Sequence, residues 1–161
     1  MDRLWAPWRS EFVSQLSEDH KCFLCKIAAA PSSDGENFVL LRGKSNMALL
    51  NRFPYNTGHL LVSPYAHVSS ISQMDDAAVL EMFRMTDTLI AALKIGMKAG
   101  GFNVGFNLGR AAGAGLEDHI HLHIVPRWAG DTNFMPVLAD TKVLPHDLPT
   151  VFQILTSSLR A

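Results

Sequence analysis

The sequence predicts an α+β domain, an antiparallel sheet that carries one long helix, with a second helix at the C-terminal end. Three observations predict it. Short apolar runs alternate with turn residues, a long stretch between them has helical apolar spacing, and the connections among the runs are of hairpin length, too short for parallel crossovers.

Asn37 to Arg42, Asn46 to Asn51 and Gly58 to Ser63 are the first apolar runs, divided by Gly-Lys-Ser and Pro-Tyr-Asn-Thr, and they read as an antiparallel meander. From Met74 to Ala99 the residues Val79, Met82, Phe83, Leu89, Ile90, Leu93 and Met97 recur at helical spacing, with Gly100-Gly101 as the stop. Phe102 to Leu108 and His119 to Pro126 are two further strands, and the glycine-rich stretch GRAAGAG between them predicts that they pair. Asp147 caps a last helix running to Arg160, with Pro149 in its first turn and Val151, Ile154, Leu155 and Leu159 on one side. Pro31 to Gly35 is a surface loop and marks no domain boundary. The chain of 161 residues therefore reads as one domain. Within it, residues 1–36 form an N-terminal extension, 37–128 the catalytic core, and 129–161 a C-terminal extension with the last helix.

Composition narrows the function. Hydrophobic residues at 48% and charged residues at 18% suit a globular protein, and no apolar run approaches the roughly 20 residues that cross a bilayer. The opening MDRLWAPWRSEF does not read as a secretory signal, so a cytoplasmic location is expected. Fourteen basic residues against fifteen acidic ones give no positive field for a nucleic-acid groove, whereas a small anion needs only a local site.

That local site is the run HIHLHIV. Side chains alternate along a strand, so His119, His121 and His123 share one face while Ile120, Leu122 and Ile124 face the core. Successive imidazoles then stand about 7 Å apart, a spacing against which a phosphoryl group can lie. A neutral imidazole, with an ordinary pKa of about 6.5, offers a nitrogen lone pair to phosphorus, provided its other nitrogen donates to a fixed acceptor such as a main-chain carbonyl. Three readings compete: covalent phosphate chemistry, a three-histidine catalytic zinc site, and coincidence of surface or core.

The run HIHLHIVPRW resembles the signature of the histidine triad family, three histidines alternating with apolar residues and followed by two more. The segments NMALLNRFPYNTGHLLVSP and GFNVGFNLGRAAGAGLEDH are similar to that family's nucleotide-cradling strands and glycine loop. RLWAPWR and VPRWAGDTNF resemble its branch of dinucleoside polyphosphate phosphorylases and hydrolases. The resemblance implies that His121 is the nucleophile of a nucleotidyl-enzyme intermediate, that His119 orients it, and that His123 and His59 contact the phosphate. It implies a ribose contact at Asn51 and a phosphate loop at Gly113 and Gly115, each also readable as a turn residue. Many family members carry glutamine or serine where Gly115 stands, and Asn107 is the candidate substitute. Arg110, Arg127 and Trp128 admit bland readings as solvated charges and an edge cover.

Cys22 and Cys25 form a CFLC knuckle, open to three readings: structural zinc, free thiols, or redox chemistry. Zinc needs two more ligands, and His67 and His119 are the candidates. The resemblance implies the same set, since some members carry a similar knuckle completed by a histidine after the third strand and the first triad histidine. It calls for no organic cofactor and implies a homodimer. The expected reaction is two-step nucleotidyl transfer from an adenine dinucleotide, with phosphate or water as acceptor. A nucleoside phosphoramidase, zinc-dependent hydrolysis, and a nucleotide-binding protein with incidental turnover are the rivals.

Overall fold

A computed structural model describes residues 22–139 and 141–160. Five strands, β1 (Val39–Arg42), β2 (Asn46–Leu50), β3 (Leu60–Pro64), β4 (Gly101–Phe106) and β5 (Leu122–Arg127), form one sheet in the order β1-β2-β3-β5-β4. Every neighbouring pair is antiparallel. The helices are α1 (Phe23–Ala28), α2 (Asp76–Met97), α3 (Met135–Ala139) and α4 (Leu148–Ser158). The predicted α+β class, with its meander, long helix and paired last strands, is the observed fold. The opening RLWAPWR lies outside the described residues.

At its centre the sheet is covered on both faces, which is why β2 and β3 are buried along their whole length instead of alternating. Ala48, Leu50, Leu60, Val62, Leu122 and Ile124 pack beneath α2 and α4 through Met82, Leu89, Leu93, Val151 and Leu155. On the opposite face Met47, Leu49 and Leu61 join Val39 beneath Leu24 and Ile27 of α1. Arg42 ties α1 down, donating to the carbonyls of Ile27 and Ala28 and pairing with Asp34 at 2.7 Å. The short helix was not foreseen, because CFLC read only as a ligand knuckle.

Three expectations are corrected. Gly100-Gly101 does not stop α2: Lys98 does, in a left-handed conformation at φ 52°, while Gly100 already bonds to Arg127 and Gly101 opens β4. Phe83 is half-exposed, since the buried stripe of α2 runs through Ala78, Met82, Met85, Leu89 and Leu93. The last strand begins at Leu122 and not at His119, because Leu122 is the first residue with partners on both sides, Val62 and Phe106. His119 to His121 form a lead-in, held by the Ile120 N–H donating to the Val68 carbonyl at 2.7 Å. Asp147 caps α4 as expected, its carboxylate accepting from the Thr150 N–H at 2.9 Å.

Candidate active site

Register decides where the histidines go. Leu122 and Ile124 stand opposite Val62 and Leu60 on the α2 face, so His123, opposite Leu61 on β3 and Gly105 on β4, lies on the other face. His59, one residue before β3, lies on that face too, and its ring centroid is 5.1 Å from that of His123. The His121 ring lies 4.9 Å from His123. Gly105 leaves open space beside His123, with nothing near the place a Cβ would take. All four imidazoles are buried: His59 and His119 fully, with 8% of His121 and 7% of His123 exposed.

Hydrogen bonds fix the tautomers. His59 Nδ1 accepts from the Tyr55 N–H at 3.0 Å and faces the Asn51 amide nitrogen at 3.3 Å, so its proton sits on Nε2. That nitrogen donates to His123 Nδ1 at 2.9 Å, which puts the His123 proton on Nε2, a buried atom with no partner. His121 Nδ1 donates to the His119 carbonyl at 2.8 Å, leaving Nε2 as the lone-pair nitrogen. The carbonyl acceptor anticipated for the central ring is therefore the main chain of its own triad.

Burial sets the charge states. Desolvation pushes His59 down to about 3 and His123 down to about 4, each helped by the neighbouring imidazoles, and lowers His121 as well. Unfolded imidazoles take up protons below about pH 6.5 while these rings stay neutral, so their contribution to stability is full above that pH. It falls as pH drops through 6.5 toward 4 and then 3, by up to about 1.4 kcal/mol per pH unit for each ring. Calorimetry between pH 7.5 and 4.5 is expected to show a falling Tm, with a shallower slope in His59→Asn. Equal slopes in the two proteins would contradict this assignment.

The other candidates fall as follows. Asn51 follows β2 with its oxygen accepting from the Phe53 N–H at 2.9 Å, so its side chain holds the turn as well as facing His59. Asn107, just past β4, donates to the Tyr55 hydroxyl at 3.0 Å. Gly113 takes φ 83° at the end of a short 3-10 turn, its N–H bonded to the Arg110 carbonyl at 2.9 Å, and Gly115 is exposed in the same loop. Gly58 turns the chain into His59 at φ 78°, packed against Met97, Leu93 and Pro126, where a side chain would be both strained and crowded. Arg110 pairs with Glu117 across the glycine loop. Arg127 pairs with Asp131, and the half-buried Trp128 donates its indole N–H to the Met97 carbonyl at 3.0 Å.

Tyr55 was not anticipated as a site residue. Its ring lies over His123, with centroids 5.5 Å apart and planes 12° apart, and also meets His59 at 4.5 Å. The only signal in the sequence is a tyrosine four residues before a histidine in a turn.

A second cluster adjoins the triad. Cys22 Sγ, Cys25 Sγ, His67 and His119 place their donor atoms within 4.8 Å of one another. Cys22 and Cys25 lie 3.1 and 3.4 Å from His119 Nδ1, and Cys25 lies 3.2 Å from His67 Nδ1. Ligands on a tetrahedral zinc are about 3.5 Å apart, given bonds of about 2.3 Å to sulfur and 2.0 Å to nitrogen. The four groups therefore fit a zinc ion. His119 Nε2 donates to the Pro64 carbonyl at 2.9 Å, which leaves Nδ1 unprotonated toward the cysteines, the second partner that metal-binding histidines carry. Burial pushes the Cys22 thiol up to about 11, a shift that a bound divalent cation reverses.

Comparisons with known proteins agree with this geometry. The model of the HIT domain family matches residues 33–130. The AP-4-A phosphorylase of Mycobacterium tuberculosis is 37% identical over 163 residues, covering 98% of this chain and 84% of the relative. Among solved structures, a Zn-bound histidine triad family protein from Mycobacterium smegmatis superposes with a TM-score of 0.69 at 26% identity, over 87% of this chain and 94% of that one. A hypothetical histidine triad nucleotide-binding protein from Sulfolobus tokodaii shares the fold with a TM-score of 0.68 at 24% identity, over 86% and 92%.

Proposed function

The chain belongs to the HIT domain family, and from that premise we propose that it splits diadenosine tetraphosphate through a nucleotide held on His121, with inorganic phosphate as acceptor. The observation that carries the reading is the bare Nε2 of His121, set by the Nδ1 bond to the His119 carbonyl in a chain 37% identical to an AP-4-A phosphorylase.

In the first step His121 Nε2 forms a bond to an α-phosphorus, and the bond from that phosphorus to the bridging oxygen breaks, its electron pair leaving with ATP. A polyphosphate is stable as an anion near neutral pH, so hydrogen bonds suffice for its departure, and the neutral His123 Nε2–H is available to donate one. Positive charge developing on His121 is met by the carbonyl of His119 through the 2.8 Å bond. The burial that keeps this ring neutral also destabilises the nucleotidyl-imidazolium, which favours the second step. There a phosphate oxygen displaces His121, giving ADP and restoring the neutral ring, while water in its place would give AMP. Asn51 lies at the sugar end of this arrangement and His59 supports His123.

The Cys22, Cys25, His67 and His119 set would hold zinc. When bound, the ion supplies a structural cross-link between the α1 segment and the lead-in to the triad. The reading places the protein in the cytoplasm, where a reducing poise keeps both thiols available. No helix among the described residues is long and apolar enough to cross a membrane. It also pairs two copies in a homodimer through α2, whose Leu80, Phe83 and Ile95 are exposed, and the outer edge of β4.

Incubation with diadenosine tetraphosphate, with and without inorganic phosphate, followed by chromatography of the products, tests the reaction. ADP and ATP formed only with phosphate are expected. AMP and ATP regardless of phosphate would assign a hydrolase, and turnover confined to adenosine phosphoramidate would assign the rival branch.

A further inference from the structure

Tyr55 touches three groups of the site from a turn that no sequence motif marks. Its N–H donates to His59 Nδ1, its ring covers His123, and its oxygen accepts the amide hydrogen of Asn107. The side chain is 51% exposed all the same, so packing alone does not account for its position. Because the oxygen already accepts from Asn107, the amide orients the phenol, and the hydroxyl hydrogen has no acceptor among the described residues. Beside it His123 carries a buried Nε2–H, also without a partner. A buried donor without a partner, with a phenol stacked over the same ring, offers two hydrogens to an acceptor with more than one oxygen. Phosphate is such an acceptor, and Gly115 offers no side chain to hold it.

In-line displacement says which phosphate. His121 attacks opposite the departing group, and the acceptor must displace His121 from the side that the departing group has vacated. One donor can therefore serve the leaving polyphosphate and the incoming phosphate in turn.

Resting on the phosphorylase reading above, we infer that the Tyr55 hydroxyl, oriented by Asn107, binds the β-phosphate that leaves and then the inorganic phosphate that enters. Asn107 acts here as a positioning residue, and Tyr55 as the contact to the anion. The role expected for Asn107 at the phosphate is thereby passed to the group it holds.

Steady-state kinetics with diadenosine tetraphosphate and varied inorganic phosphate test the inference in wild type, Tyr55→Phe, Asn107→Ala and the double variant. Tyr55→Phe keeps the ring over His123 and removes only the hydroxyl. Its KM for phosphate and its KM for the dinucleotide are each expected to rise about tenfold, the worth of one hydrogen bond, while Tm stays close to wild type. Asn107→Ala is expected to raise both KM values by less, and the double variant to be no worse than Tyr55→Phe. An unchanged phosphate KM in Tyr55→Phe overturns the inference alone, and so does a loss confined to kcat. Wild-type protein that turns over no dinucleotide, or does so without regard to phosphate, overturns the phosphorylase reading, and this inference with it.

Discussion

His121→Asn is expected to abolish turnover, with a fall in kcat of about 10^4-fold or more, the scale seen when an enzyme loses its nucleophile. No other group replaces it. His59 and His123 have both ring nitrogens assigned by the relay from Tyr55, with His123 presenting a hydrogen where a lone pair is needed. His119 is committed on one nitrogen to the Pro64 carbonyl and faces the cysteines with the other. Structural damage should be small. The ring contributes one hydrogen bond and packing against His123, so the variant is expected to lose about 1–2 kcal/mol, a Tm drop of roughly 5 °C. Rates measured on variant whose circular dichroism matches wild type separate the two effects. Undiminished turnover would remove His121 from the nucleophile's role.

The second large effect concerns the metal. Purified protein is expected to contain one zinc per chain, and His67→Ala to lose it together with about 10 °C of Tm, as for a few kcal/mol of lost folding energy in a domain of this size. His67 suits the test better than either cysteine. Its side chain is exposed and meets Cys25 and the His119 ring, so replacing it without a metal at stake would cost almost nothing. Metal analysis and calorimetry on the same preparations decide the matter. A zinc-free wild type, or a variant that melts with wild type, would return Cys22 and Cys25 to the status of free thiols.

The parts of this molecule that depend on local periodicity could be read from the sequence. HIHLHIV has the period of two that places three imidazoles on one face, and Val79 to Met97 has the period of a helix. What escaped depends on partners far away in the chain. The start of β5 at Leu122 follows from where β3 and β4 run out, and nothing in the residues His119 to His121 announces it. Phe83 has the right spacing for the core but sits at the margin of the stripe that meets the sheet, beside Met82. Lys98 ends the long helix in a conformation that glycine usually takes, two residues before the glycines that seemed made for it. For the site, the grouping of Cys22, Cys25, His67 and His119 and the central ring's carbonyl acceptor were legible. The proton relay from Tyr55 through His59 to His123 was not, since it joins a turn to a strand 64 residues beyond His59.

His119 belongs to two systems at once through different parts of itself: its imidazole faces the cysteines, and its peptide oxygen receives the neighbouring ring's hydrogen. Every amino acid brings that oxygen. Swapping the residue can therefore strip the knuckle of a donor atom yet leave the His121 ring its anchor, so the aim of that ring is written in the backbone, out of reach of a single codon change.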